Sequence, residues 1–270
     1  SAGRRAATPS AGIPLRLAHR GPYQSTALFD VLAREAVPGV EEVTGTRARR
    51  TYRRTLRLPY GTGIVAVAER PGGPARPAPA HPGGWLDALL HLTDLRDLTT
   101  AVQRLRLLFD LDADPYAVDE RLAADPRLAP LVAARPGLRS PGTADPDELA
   151  VRALVGRAEA ERLVQRYGKT LDAPCGTLTH LFPEAGVLAQ AEPDGTLGAL
   201  AAALADGTLR LPGHCRPSSR LSRRRSDPPQ GCSARRMVGV GLPSGRLARD
   251  HADRRARRHS GRPRGVRGHP

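Results

Sequence analysis

Apolar and polar residues alternate in short runs over the first third of the chain, a pattern typical of strands buried on one face. These runs are separated by Gly, Pro or polar turns and predict strands at residues 13–24, 40–44, 49–58, 63–68 and 85–92. After the first run, apolar residues recur at helical spacing from Ser25, the predicted N-cap, to Ala36. A strand, a helix and then several strands predict an α+β fold with an antiparallel sheet at residues 13–93.

From residue 94 onward the apolar residues recur at helical spacing instead. Asp94 is a suitable N-cap for the first helix, and Asp-Pro pairs at 114–115 and 125–126 are predicted to start two more. Asp145, followed by Pro146 and Glu148, has the pattern of a capped helix start, and this helix is predicted to run to Tyr167. With a last helix at 196–205, residues 94–211 are predicted to form a helical domain.

Two segments have the composition of unfolded chain. Residues 212–270 contain 16 arginines and three acidic residues, but only seven residues from the set Leu, Ile, Val, Met, Phe, Trp and Tyr. Such a stretch buries too little apolar surface to fold, so we expect a disordered basic tail. Residues 1–12 are small, basic and broken by Pro and Gly, as in a linker.

The net charge of +15 suggests a nucleic-acid partner, but its location weakens that inference. The tail carries +13 of it, and the 211 residues before the tail carry +2. The chain has no apolar run long enough to cross a membrane and no signal-peptide pattern, so we expect a cytoplasmic protein without membrane contact. Its three cysteines form no CxxC pair, so we expect neither a metal site nor a disulfide framework.

Several motifs occur together in an order typical of one protein family. The most specific is ARPGLRSPG at residues 134–142. The others are TDLRDLT at 93–99, FDLDADP at 109–115, VRALVG at 151–156, AREAVPGVE at 33–41, YRRTLRLP at 52–59 and GIVAV at 63–67. On these motifs, residues 13–211 resemble the DNA-3-methyladenine glycosylase II (AlkA) family, within the helix-hairpin-helix DNA glycosylase superfamily.

The resemblance implies an N-terminal domain with a TATA-binding-protein-like antiparallel sheet, followed by an all-α helix-hairpin-helix glycosylase domain. It implies a monomer that bends double-stranded DNA containing alkylated bases, flips an alkylated purine and hydrolyses its N-glycosidic bond. A carboxylate then stabilises positive charge on the sugar, and no metal or cofactor is required. In bacterial relatives this unit is sometimes fused behind an alkylation-response regulator domain, a junction that residues 1–12 would suit.

The sequence departs from the family pattern in three places. Gly156 runs directly into Arg157, where relatives carry a Gln-containing wedge, and the stretch near residues 192–197 is shorter. A Leu-Pro-Gly-x-Gly hairpin followed by the catalytic Asp is not found, and Asp250 and Asp253 lie among the arginines of the tail. We therefore expect a truncated helical domain, assign no catalytic residue and expect impaired catalysis. One hypothesis is that the tail is a frame-shifted translation of the missing region, although a genuine basic tail would have the same composition.

The candidate DNA-binding residues lie beside the missing wedge and are Arg152, Gly156 and Arg157. Trp85 and Phe109 are expected in the core. Four arginines of one predicted strand are expected on a solvated sheet face: Arg49, Arg50, Arg53 and Arg54. Two alternatives to an active glycosylase remain, a non-enzymatic fragment or pseudogene product, and a non-specific DNA binder acting through the basic tail.

Overall fold

A computed structural model describes residues 12–70 and 83–211. All of these residues belong to the first of two compact units, Ser1–Ser219. The predicted linker, apart from Gly12, and the predicted basic tail lie outside the described residues, as do the cysteines and acidic residues of that tail.

The N-terminal half is built on a five-stranded antiparallel sheet with the strand order β1-β5-β4-β3-β2. Its strands are β1 (Ile13–Ala18), β2 (Glu41–Thr46), β3 (Arg49–Arg57), β4 (Thr62–Ala68) and β5 (Trp85–Leu92). All five were predicted, and the α+β class is confirmed. The likeness of this sheet to the TATA-binding-protein fold stays a prediction.

Helix α1 (Ser25–Glu35) begins where it was predicted but is capped differently. Its N-cap is Gln24, and the Ser25 hydroxyl donates a hydrogen bond to the carbonyl of Arg70. The predicted cap was therefore wrong, because the buried Ser25 side chain ties the helix to the end of β4 instead. Leu28, Phe29 and Leu32 of this helix are buried, as their spacing predicted.

Up to residue 211, where the description ends, seven further α-helices follow the sheet: α2 (Leu98–Leu108), α3 (Pro115–Ala123), α4 (Ala129–Ala134), α5 (Pro146–Val155), α6 (Arg157–Tyr167), α7 (Ala185–Ala191) and α8 (Gly195–Asp206). Asp114 and Asp145 cap α3 and α5 by accepting backbone N–H groups, as predicted. Asp94 caps a short 3-10 turn, Leu95–Asp97, ahead of α2. The single helix predicted from 145 to Tyr167 is wrong, because Gly156 separates α5 from α6.

The region predicted to be purely helical also contains a β-hairpin. Strands β6 (Lys169–Cys175) and β7 (Leu178–Leu181) pair with each other and form a second, two-stranded sheet. The Thr55 hydroxyl donates to the carbonyl of His180, 2.8 Å away, so this hairpin lies against β3. The pairing is irregular, with a register shift between Thr170 and Cys175. The sequence of these residues accordingly lacks the regular alternation by which a strand is predicted.

The apolar core does not follow the predicted division at residue 93. One cluster joins the inner face of the sheet to α1 and α2 and continues to Leu111 and Ala144. A second cluster joins α5, α6, α7 and α8, and also contains Val37 and Val40 from the connection between α1 and β2. The change of period thus marks where helices begin, whereas the sheet and α2 share one core.

The motif at 134–142 fastens the chain ahead of α1 to the loop between α2 and α3. The buried guanidinium of Arg139 donates to the carbonyls of Asp110, Ala113 and Arg20 at 2.8–3.1 Å. Gly137 has a φ of +74°, and a Cβ there would lie 2.4 Å from the Pro22 carbonyl oxygen. The motif is therefore a structural tie whose residue types are set by buried carbonyls and close backbone contact.

We predict that Arg139→Ala destabilises the fold by at least about 2 kcal/mol, because hydrogen bonds to a charged group are strong and buried carbonyls lose their donors. Denaturant unfolding of the full chain measures the change. Arg135→Ala is the matched control, since Arg135 is exposed in the same motif and should change the stability by less than about 0.5 kcal/mol. Equal effects of the two substitutions would contradict the tie.

Candidate functional site

A cleft of about 410 Å³ lies between the end of β3, the start of α5 and the β7–α7 connection. Apolar residues such as Leu56, Leu58 and Phe182 share its lining with Arg54, Arg57 and Arg104 and with Asp145, Asp147, Glu148 and Glu184. Arg57 pairs with Glu184, and Arg104 donates to the Arg57 carbonyl at 2.6 Å. Burial lowers the pKa of Arg104.

Two arginines and two glutamates form a buried network at one wall of this cleft. Arg54 contacts Glu41 at 3.2 Å and Glu148 at 2.7 Å. Arg152 contacts the same two carboxylates at 2.9 and 2.8 Å. The Tyr52 hydroxyl adds a hydrogen bond to Glu41 at 2.6 Å. The four charges alternate in sign, so each carboxylate faces two guanidinium groups.

The network is deeply buried, and this determines its electrostatics. The side chain of Arg54 is only 3% exposed. Burial alone would lower the pKa of Arg54, but the charges of Glu148 and Glu41 hold that pKa well above its ordinary value. Burial, together with the Glu41 charge, raises the pKa of Tyr52. Arg54 and Arg152 are therefore permanent cations whose charge is neutralised inside the protein.

Two of the four β3 arginines that were predicted on a solvated face of the sheet do not lie there. Arg54 and Arg50 are buried on the inner side of β3, and Arg50 pairs with Glu69 and Asp30 at 2.7 Å. Arg53 pairs with Glu42 on the outer side, and Arg49 is exposed. The prediction was wrong for Arg50 and Arg54, since both lie in register with the buried Tyr52 and carry their own carboxylate partners.

Of the three predicted DNA-binding residues, Arg152 lies in the buried network. Its guanidinium contacts Glu41 and Glu148 and also donates to the Glu35 carbonyl. A DNA phosphate would have to compete with two carboxylates for this group. These contacts join α5 to Glu41 and to the Glu35 carbonyl, and DNA contact by Arg152 stays a prediction.

Gly156 and Arg157 form an exposed corner between α5 and α6. Gly156 has φ +76° and ψ 172°, a conformation almost confined to glycine, and has no atom within 4 Å of an added Cβ. No side chain caps α6, and Arg157, its first residue, makes no ion pair with any described residue. The corner therefore presents backbone N–H groups without a side-chain cap and an unpaired guanidinium, although Glu159 in the first turn of α6 offsets part of the positive helix end.

Sequence reasoning missed the buried network, although a signal was present. Arg54 stands between Tyr52 and Leu56 in the period-two pattern of a strand, so its side chain had to point to the core. Phe109 is buried as predicted, whereas Trp85 is 38% exposed and is not a core residue. Among residues 12–70 and 83–211, no three His, Cys, Asp or Glu side chains are grouped as a metal site would need. No helix in these ranges has the length and apolarity to cross a membrane.

Comparison with known proteins identifies the N-terminal domain of the chain. Residues 14–145 match the AlkA N-terminal domain. Over 227 residues the chain is 43% identical to proteins of two Mycobacterium tuberculosis strains, each named probable bifunctional transcriptional activator/DNA repair enzyme AlkA. The match covers 77% of this chain and 42% of those proteins, so the chain spans about two fifths of their length. Residues 14–145 therefore belong to the AlkA N-terminal domain family, and the chain is similar to AlkA proteins.

Distant likenesses to solved glycosylase structures are also found. A 3-methyladenine DNA-glycosylase from Archaeoglobus fulgidus gives a TM-score of 0.49 at 15% identity, covering 73% of this chain and 66% of that one. An 8-oxoguanine glycosylase/lyase from Clostridium acetobutylicum bound to DNA gives a TM-score of 0.34 at 15% identity, and the match covers 64% of this chain and 68% of that one. At these values the fold assignment rests on the strands and helices described above.

We predict that Glu148→Ala destabilises the protein by about 3–5 kcal/mol, because it leaves two buried guanidinium groups without half of their countercharge. Thermal and denaturant unfolding measure the loss. Glu184→Ala is the matched control: Glu184 also pairs with an arginine, but its side chain is 56% exposed, so the expected loss is below about 1 kcal/mol. Similar losses in both variants would mean that burial of the network contributes nothing.

Proposed function

We propose that this chain acts on double-stranded DNA in base-excision repair, as a protein of the DNA-3-methyladenine glycosylase II type. The reaction is hydrolysis of the N-glycosidic bond of alkylated purines after base flipping, without a metal or cofactor. The observation that supports this most strongly is the AlkA N-terminal domain at residues 14–145, together with 43% identity to proteins named as DNA repair enzymes. This favours a repair glycosylase over a fragment that binds DNA only through a basic tail.

The DNA contacts proposed from the geometry are Gly156 and Arg157. The backbone N–H groups that open α6 and the Arg157 guanidinium are both free to meet a phosphate oxygen. Arg152 supports this corner from inside, because it fixes α5, the helix that ends at Gly156, to Glu41 of the sheet. This differs from the expectation that Arg152 itself contacts DNA.

We further propose that this chain excises bases slowly. A Leu-Pro-Gly-x-Gly hairpin and the catalytic Asp that follows it are not found in residues 12–70 and 83–211. Loss of one group that stabilises transition-state charge slows an enzyme roughly 100- to 1,000-fold. The name of the M. tuberculosis proteins couples repair to transcriptional activation. A fused regulator, a monomeric state and a cytoplasmic location stay predictions for this chain.

A base-release assay tests the activity. The full chain and the M. tuberculosis relative are incubated with methylated duplex DNA, and freed methylpurines are quantified by mass spectrometry. We expect release above the spontaneous rate, but roughly 100- to 1,000-fold slower than by the relative. Release no faster than in buffer would overturn the glycosylase function, and release as fast as by the relative would overturn the impairment.

Binding of undamaged duplex DNA tests whether the corner at Gly156 and Arg157 contacts a DNA phosphate. Arg157→Ala should weaken binding about two- to fivefold for every DNA sequence, as expected for loss of one phosphate contact. The slope of the logarithm of the binding constant against the logarithm of the salt concentration should become shallower by about one. Arg162→Ala is the matched control, because Arg162 is exposed on the same helix but already pairs with Glu159. If both variants bind equally well, the corner does not contact phosphate.

A further inference from the structure

The chain's one tryptophan lies at an outer corner of the five-stranded sheet. Trp85 opens β5 opposite Ala18 of β1, and Asp87, two residues on, lies opposite Arg16. Residues two apart on a strand share a face, so Trp85, Asp87 and Leu89 point away from the core side formed by Leu86 and Ala88. Trp85 and Leu89 are 38% and 39% exposed, so part of the indole and part of the Leu89 side chain are open to solvent.

Two arginines accompany the tryptophan. The guanidinium carbons of Arg16 and Arg70 each lie 5.0 Å from the Trp85 ring centroid. Both contact the same carboxylate, Asp87, with the Nε of Arg70 at 2.7 Å and the Nε of Arg16 at 3.9 Å. Two cations share one anion, so the group formed by Arg16, Arg70, Trp85 and Asp87, here the Trp85 corner, is net positive.

Exposure distinguishes the Trp85 corner from a structural stack. The side chains of Arg16 and Arg70 are 73% and 48% exposed. Such arginines add little to stability, because surface ion pairs and exposed cation–π contacts are weak in water. They do provide charge and hydrogen-bond donors around an accessible indole.

We propose that the Trp85 corner binds single-stranded nucleic acid, with a base stacked on Trp85 and neighbouring phosphates paired with Arg16 and Arg70. An accessible aromatic ring between cations is the arrangement by which proteins hold unpaired strands, since bases stack and phosphates are neutralised. A duplex keeps its base faces covered, so the ring selects unpaired nucleotides. The net positive charge of the Trp85 corner favours a polyanion as its partner over a protein surface that lacks an acidic patch. This site is separate from the corner at Gly156 and does not depend on base excision.

Tyr60 provides a matched control within the same chain. It is 57% exposed, and the guanidinium carbon of Arg96 lies 4.1 Å from its ring centroid. Arg96, however, has its own carboxylate, Asp94, at 2.6 Å, so this aromatic–arginine pair is electrically neutral. It presents the same kinds of groups as the Trp85 corner without the surplus charge.

Tryptophan fluorescence of the full chain tests the proposal, because all indole emission comes from Trp85. Titration with a homopyrimidine single strand should quench the emission in a saturable way, and a duplex of the same length should quench it less. Attachment through arginines elsewhere in the chain would leave the emission unchanged. Saturable binding without quenching, or equal quenching by the duplex, would overturn the proposal.

Variants supply the second measurement, with binding followed by the anisotropy of a labelled strand. Trp85→Ala should weaken single-strand binding roughly 5- to 100-fold, the range expected for loss of one base–aromatic stack, and Trp85→Phe should restore most of it. Tyr60→Ala should bind as the parent chain does. Circular dichroism checks that each variant is folded. Unchanged affinity of folded Trp85→Ala would contradict the proposal, as would an equal loss in Tyr60→Ala.

Discussion

The buried network of Arg54, Glu41, Glu148 and Arg152 is the interaction on which the rest of the structure depends. Arg54 comes from the sheet, Glu41 from the start of β2, and Glu148 and Arg152 from one face of α5. Their neighbours in sequence belong to both apolar clusters, Tyr52 and Leu56 to one and Val40 and Val151 to the other. Ion pairs of this kind contribute little net stability but are costly to break, so they fix one arrangement of α5 against the sheet.

That fixed arrangement links the family's N-terminal domain to the helices that follow it. Since α5 is held at Glu148 and Arg152, its far end at Gly156 is placed as well, and so is the exposed start of α6. Arg152, predicted to contact DNA because it lies beside the missing wedge, contacts Glu41 and Glu148 in the structure. The proposed repair function needs such rigidity, because contacts to a flipped nucleotide depend on fixed geometry.

Sequence patterns predicted the sheet strands and the Asp-capped helices because these depend on local periodicity and local hydrogen bonds. They failed where a partner distant in sequence decides the outcome. Arg50 and Arg54 are buried because Glu69 and Glu148 neutralise them, and Ser25 bonds Arg70 rather than its own helix. The β6–β7 hairpin is paired irregularly, and its sequence lacks the alternation of apolar and polar residues that predicts a strand. Trp85, expected in the core, lies on the outward side of β5.

Native-state hydrogen exchange tests most directly whether the network makes sheet and helices one cooperative unit. Slowly exchanging amides of β3 and of α5 should open with the same free energy, and Glu148→Ala should lower both by the same amount. If α5 to α8 instead exchange at a much lower free energy than β3, and Glu148→Ala leaves β3 unchanged, the helices open independently. The network would then not be what holds the two parts together.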